Sequence, residues 1–177
     1  MARMKDNFST LYNSIYPNDL HLKHELWYYM IKYRISLAIL RHLQTLQTTH
    51  VRIADVGGGY GYDGLLIRAL AAQTMPSLTI DIDVIDPTVN FYNDVHELQE
   101  SDISKQNNIT YIEESLLTFD TSKAIEKYDI IICSEVIEHL RTSEQEIFFA
   151  QFNRILKPSG LVTLTCPNGS SLFKQLI

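Results

Sequence analysis

The run VRIADVGGGYGYDGLLI, Val51 to Ile67, changes character at its midpoint. Its first six residues, Val51–Val56, form an apolar run broken only by Arg52 and Asp55, and read as a strand. From about Asp63 to Gln73 the spacing reads as a helix. Between the two lie Gly57, Gly58, Gly59 and Gly61. Glycines permit positive φ and leave no Cβ in the way, so a ligand can lie against the backbone. The helix that follows offers unpaired N–H groups to the same place. A strand, a glycine turn and a helix in that order point to a ligand site more than to an empty tight turn.

The alternation continues downstream. Leu78–Ile85 reads as a second strand ended by Asp86-Pro87, Ile109–Ile112 as a third, and Tyr128–Cys133 (YDIIIC) as a fourth. A helix over about Ser143–Leu156 leads into Lys157-Pro158-Ser159-Gly160, read as a turn, and then a fifth strand, Leu161–Cys166. Strands this apolar, separated by helices, imply a parallel sheet covered on both faces. The expected fold is therefore a doubly wound α/β sheet. Upstream, Leu22, Leu26, Tyr29, Tyr33, Leu37, Leu40 and Leu43 recur at three- and four-residue steps, which predicts one amphipathic helix from about Leu20 to Leu46. Pro17-Asn18-Asp19 offers its start, and Phe8–Tyr16 a further helical turn. The chain thus divides into a helical extension, 1–48, and an α/β domain, 49–177.

With 177 residues, 45% of them apolar, the chain has room for one domain with a substantial core. No apolar run approaches membrane-spanning length and the N-terminus lacks a signal-peptide pattern, so a cytoplasmic address is expected. Cys133 and Cys166 each end an apolar run and have no metal-ligand spacing around them; both are expected to be small buried residues, with no metal site. The net charge of −6 is uneven: residues 1–50 carry a balance of +3, and Asp81–Asp102 contains seven acids and no Lys or Arg. A nucleic-acid grip needs a concentrated basic surface, so a nucleic-acid partner is disfavoured.

Which ligand the glycine turn takes is open from the glycines alone. Gly59-Tyr-Gly61-Tyr-Asp-Gly64 satisfies the dinucleotide fingerprint, and Asp86 lies about where a ribose-binding acid belongs. Asp55, however, gives Asp55-x-Gly57-x-Gly59-x-Gly61. A carboxylate there is awkward beside a pyrophosphate and suits a cationic ligand. Two more landmarks follow in order, YDIIICSEVIEHL and, after a long helix, ILKPSGLVTLTCPN. Over roughly Val51 to Asn168 the chain resembles the class I S-adenosylmethionine-dependent methyltransferases, whose sheet is Rossmann-like.

That resemblance implies S-adenosylmethionine as cofactor and S-adenosylhomocysteine as product. It implies that Asp55, Gly57, Gly59 and Gly61 hold the methionine part and that Asp86 accepts the ribose hydroxyls. Ser115 and Leu116 would flank the adenine, although the family often has Asp where Ser115 stands. Ser134 and Glu135 would line the methyl end. Asp81 and Asp83 are expected to be solvated near the start of their strand.

Methyl transfer requires an acceptor aligned opposite a cationic sulfur and sometimes the removal of its proton. A helical turn through Glu135-Val-Ile-Glu138-His139 would put Glu135, Glu138 and His139 on one side. His139 is the candidate base because imidazole titrates near neutral pH, with Glu138 to orient it or meet the substrate. The expected acceptor is a small molecule, a sugar or a natural-product intermediate, methylated on oxygen. Trp27, Tyr28, Tyr29 and Tyr33 can either pack the extension on the sheet or line an acceptor pocket. The alternatives are an inactive or partner-dependent cofactor-binding subunit and an RNA 2′-O-methyltransferase. RNA enzymes with a similar segment bind a metal through a further His, and none follows His139. The family's sheet has seven strands, and this sequence stops at Ser171–Ile177, without the sixth and seventh. Residues 161–166 would then form an exposed apolar edge, covered by a second copy or a partner subunit unless the chain is a truncated piece.

Overall fold

A computed structural model describes residues 26–88 and 108–167, with side chains from Met30 onward. The proposed segment Phe8–Tyr16, the turn at Pro17–Asp19 and the tail Ser171–Ile177 lie outside the described residues, as do the side chains of Trp27, Tyr28 and Tyr29. The elements in order are α1 (Leu26–Thr45), β1 (His50–Val56), α2 (Tyr62–Thr74), β2 (Thr79–Ile85), β3 (Ile109–Ile112), β4 (Tyr128–Ser134), α3 (Thr142–Ile155) and β5 (Leu156–Thr165). Short 3-10 turns span Thr121–Lys123 and Ile137–His139. Among the described residues no helix is long and apolar enough to cross a membrane.

The five strands form one parallel sheet in the order β3-β2-β1-β4-β5. The chain returns to the centre between β3 and β4, so the order reverses beside β1. Open α/β sheets bind ligands outside the carboxyl ends of their strands at such a reversal.

Alternation along the strands explains why both faces are covered. Ile53, Ile82, Ile130 and Ile132 point into one core with Leu66, Leu70 and the α1 residues Ile39, Leu40 and Leu43. Ala54, Ile131 and Cys133 point the other way, into a second core with Phe119, Phe148, Phe152 and Ile155. Phe148 and Phe152 sit one helical turn apart with ring centroids 4.8 Å apart. α1 is therefore built into the first core.

Several local expectations change. The buried stripe of α1 runs through Lys32, Ser36, Ile39, Leu40 and Leu43, while Leu37 is only half-buried. β5 starts directly after α3: Tyr128 pairs with Leu156 and Ile130 with Leu161, so Lys157-Pro158-Ser159-Gly160 is a bulge inside the strand, with Ser159 at φ 64°. Asp83 is not solvated. It is buried, and accepts hydrogen bonds from Tyr128 Oη at 2.9 Å and Lys127 Nζ at 2.6 Å. Burial and the neighbouring carboxylate raise the Tyr128 phenol well above its ordinary range. Asp81 is partly covered and paired with His50 Nε2 at 2.8 Å. Cys133 is buried but Cys166, just past the end of β5, is exposed.

Candidate functional site

Four strand ends converge above the sheet. β1 runs into the glycine turn, β2 into Asp86, β3 into Ser115 and β4 into Glu135. Backbone bonds lock these ends together. Gly57 N–H donates to the Ile85 carbonyl at 2.8 Å, Asp86 N–H to Ile112 at 3.1 Å and Glu135 N–H to Thr165 at 3.0 Å.

Gly57 and Gly61 lie at φ 67° and 74°, in the left-handed region that L side chains rarely enter. A Cβ on Gly57 would come within 2.3 Å of Val136 Cγ2, and one on Gly61 within 2.6 Å of Val84 Cγ2. Both residues are required as glycine by conformation and by space. Gly59 N–H donates to Asp86 Oδ2 at 2.9 Å, which ties the turn to the end of β2. On the far side Tyr111 Oη donates to the Tyr60 carbonyl at 3.0 Å. Burial pushes the Tyr111 phenol up to about 12, so it stays protonated as a donor.

Asp86 is buried, and its other oxygen accepts from Thr88 N–H at 2.7 Å and Thr88 Oγ1 at 2.6 Å. A carboxylate has about four acceptor positions. Rotation of the Thr88 hydroxyl would leave two of them for the paired hydroxyls of a ribose.

Asp55 sits beneath the turn, buried, with Oδ2 accepting from Gly64 N–H at 3.1 Å. Burial, and after it Asp63, push its carboxyl up to about 7 against the lowering effect of the Gly64 bond and Lys32, with Asp86 adding a smaller rise. Lys32 is buried too, and its ammonium is hydrogen-bonded to Asp63 Oδ2. Sequence reasoning missed Lys32, because a lysine on an amphipathic helix is ordinarily assigned to the solvated face. Asp55, Asp63 and Asp86 together leave the neighbourhood acidic, which fits a cationic ligand and works against a pyrophosphate.

Ser115 is half-buried, and its Oγ accepts from Leu117 N–H at 3.3 Å; Leu116 is buried. Ser134 ends β4 and is half-buried, and Glu135 follows at φ 57°, an uncommon conformation for a non-glycine residue. The α-helical turn expected through Glu135–His139 does not form. The left-handed Glu135 stands outside a 3-10 turn over Ile137–His139, so Glu135, Glu138 and His139 do not share one α-helical face. Glu138 and His139 are exposed at the rim. Gln145 on α3 braces this segment by donating to the Ile137 carbonyl at 3.2 Å and the Leu140 carbonyl at 3.3 Å. The Cys133 thiol beneath is pushed up to about 12 by burial, then by Asp55 and Glu138, so it is not a nucleophile here.

Comparison with known proteins places this geometry in context. A family model described as a methyltransferase domain matches residues 26–177. The ubiquinone biosynthesis O-methyltransferase of Rickettsia akari (strain Hartford) is 30% identical over 137 residues, covering 76% of this chain and 45% of that protein. The chain therefore spans less than half the length of this curated relative. Among solved structures, the PH0226 protein from Pyrococcus horikoshii OT3 superposes with a TM-score of 0.60 at 16% identity, covering 93% of this chain and 65% of that one. PKMT2 from Rickettsia typhi, solved in complex with AdoHcy, superposes with a TM-score of 0.53 at 22% identity, covering 72% of this chain and 23% of that one. At these identities the two structures share the fold.

Proposed function

The chain belongs to the S-adenosylmethionine-dependent methyltransferase family, and from that premise we propose that it methylates an oxygen of a small molecule. The observation that carries the cofactor side is the Asp86 tether: one buried carboxylate at the end of β2 holds the glycine turn through Gly59 and has acceptor positions for a ribose. That the Rickettsia akari relative is named an O-methyltransferase supports oxygen as the acceptor atom.

In this reading the backbone of Gly57, Gly59 and Gly61 receives the methionine part, with Asp55 as the negative charge below. Asp86 accepts the ribose hydroxyls, and Ser115 and Leu116 flank the adenine. Ser134 and Glu135 border the reacting end. S-adenosylmethionine supplies, when bound, a methyl carbon activated by its sulfonium. The chain's own part is alignment and exclusion of water, which can supply several kcal/mol of a methyl-transfer barrier. The exposed His139 takes the acceptor's proton, with Glu138 beside it at the rim.

Titration calorimetry with S-adenosylmethionine, S-adenosylhomocysteine and NAD tests the cofactor. Binding of both sulfur ligands is expected, and binding of NAD alone overturns the reading. A labelled-methyl assay against hydroxylated, amino and carbon acceptors then tests the acceptor atom. Products methylated only on nitrogen or carbon overturn the assignment to oxygen.

A second reading is favoured by β5, which among the described residues is an edge strand with Val162 and Leu164 each 37% exposed. In it a second copy or a partner subunit covers that edge and the enzyme works as an assembly. Size-exclusion chromatography with light scattering tests it, and a stable, active monomer argues against it.

A further inference from the structure

Among the described residues Lys32 is the one buried cation, and it stands beside the carboxylates of Asp55, Asp63 and Asp86. It stands on α1, outside the strand-and-turn landmarks, and crosses to Asp63 in the first turn of α2. A buried lysine is costly unless paired, and pairing it there draws α1 against the glycine turn. Asp63 lies next to Gly64, whose N–H is bonded to Asp55. The ammonium therefore acts on both carboxylates across one water-poor space, where charges interact far more strongly than in bulk. We propose that Lys32 is a positioning residue of the cofactor site, clamping α1 to the turn through Asp63 and setting the charge that Asp55 presents beneath it. This inference rests on the cofactor reading above.

The groups around Asp55 fix the direction of the effect. α1 contributes Lys32, and α2 contributes Asp63 and the Gly64 N–H. The end of β2 contributes Asp86, β3 the Tyr111 phenol and β4 the Cys133 thiol, with Glu138 beyond it. Tyr111 and Cys133 are both neutral near pH 7, since each is pushed up to about 12. Lys32 is thus the cation that offsets the Asp63 and Asp86 carboxylates on behalf of Asp55. Without it, Asp55 takes up a proton more readily, and the turn loses negative charge where a sulfonium and an ammonium are to be received. Affinity for a cationic ligand then rises with pH as Asp55 ionises, and the position of that rise reports on Lys32.

The test has a ligand-free arm and a binding arm. The Gly64 amide resonance, bonded to Asp55, is followed by NMR from pH 5 to 9 in wild type, Lys32→Met, Lys32→Arg and Asp63→Asn. Wild type should inflect near the Asp55 value of about 7. Lys32→Met should move the inflection up by about one pH unit, the size of shift a close charge produces. Asp63→Asn should move it down, and Lys32→Arg should leave it in place. Opposite shifts from the two halves of one ion pair are not expected of a pair that merely holds the fold. In the binding arm, S-adenosylmethionine affinity should follow the same inflection, and S-adenosylhomocysteine, lacking the sulfonium, should follow it weakly.

An inflection that Lys32→Met leaves unmoved overturns the proposal. If Lys32→Met does not fold, Lys32→Gln is read in its place: an upward move upholds the proposal, and an unmoved or downward inflection overturns it. Wild-type binding that ignores the Asp55 inflection also overturns it. A wild-type chain that binds neither sulfur ligand overturns the cofactor reading, and with it the assignment of Lys32 to a cofactor site, whatever the NMR arm shows.

Discussion

Replacing Gly57 with alanine sets a Cβ 2.3 Å from Val136 Cγ2 on a backbone held at φ 67°. Two separable costs follow. A left-handed conformation costs a non-glycine residue about 1–2 kcal/mol. Forcing a methyl into occupied space costs about 1–3 kcal/mol more. Gly57→Ala should therefore lose about 2–5 kcal/mol from a domain whose whole stability is on the order of 5–15 kcal/mol. Urea unfolding at constant pH measures this as a lower midpoint with an unchanged slope. Val136 is half-buried, and Val136→Ala alone should cost about 1 kcal/mol for its two methyl groups. In the double variant the obstructing methyls are gone, so the packing cost should be recovered and the backbone cost should remain. The interaction between the two substitutions should amount to about 1–3 kcal/mol, well above the error of such cycles. A Gly57→Ala loss below about 1 kcal/mol, or strictly additive variants, would refute the claim that Val136 closes the space over Gly57.

Asp86→Ala removes the acceptor of the Gly59 N–H, and calorimetry should show cofactor affinity reduced at least tenfold; an unchanged affinity would remove Asp86 from the site. Asp55 has a folded value raised to about 7, so it adds most to stability at acid pH, and that contribution is lost as pH rises through about 7. Melting curves from pH 4 to 8 should show wild type losing stability that Asp55→Asn keeps, and parallel curves would contradict the burial of an ionisable carboxyl there. Tyr128→Phe strips a buried donor from Asp83 and should cost about 1–3 kcal/mol in urea unfolding while leaving cofactor affinity alone. Of the two thiols, Cys166 is exposed and Cys133 buried, so a thiol reagent should titrate one thiol in the native protein and both in denaturant.

The parts legible in the sequence are those in which residue type fixes a local outcome. Apolar runs such as Ile130–Cys133 can be satisfied only inside a sheet covered twice, and the glycines after Val56 announce a turn that side chains would obstruct. The place of Asp86 at a strand end is legible because an apolar run stops directly before it. What stayed hidden depends on contacts between distant segments. Lys32 and Asp63 lie 31 positions apart and meet only because α1 packs on α2. Asp83 alternates into the strand like its solvated counterparts would, and only Lys127 and Tyr128, 44 and 45 residues away, make its burial tolerable. The segment after Ser134 reads as a helix by spacing, yet the Glu135 backbone turns left-handed where its N–H is bonded to the Thr165 carbonyl of the adjacent strand. Lys157–Gly160 signals a turn by composition, but the β4 register takes it in as a bulge.

The alternation along β1 also determines where this chain can change length. Ile53 faces the core shared by α1 and α2, and Ala54 and Val56 face the core around Phe148 and Phe152. Asp55 shares its face with Ile53, which is how it comes to lie within reach of Lys32 and Asp63. Adding or removing one residue inside β1 would turn its carboxylate toward the phenylalanines and away from Lys32, and would aim the glycine turn away from Asp86. An odd change of length in this strand therefore destroys the site and both cores in one step. β5 already absorbs surplus residues in its bulge, so length variants of this protein should cluster there and at the loops, and leave β1 at its present length.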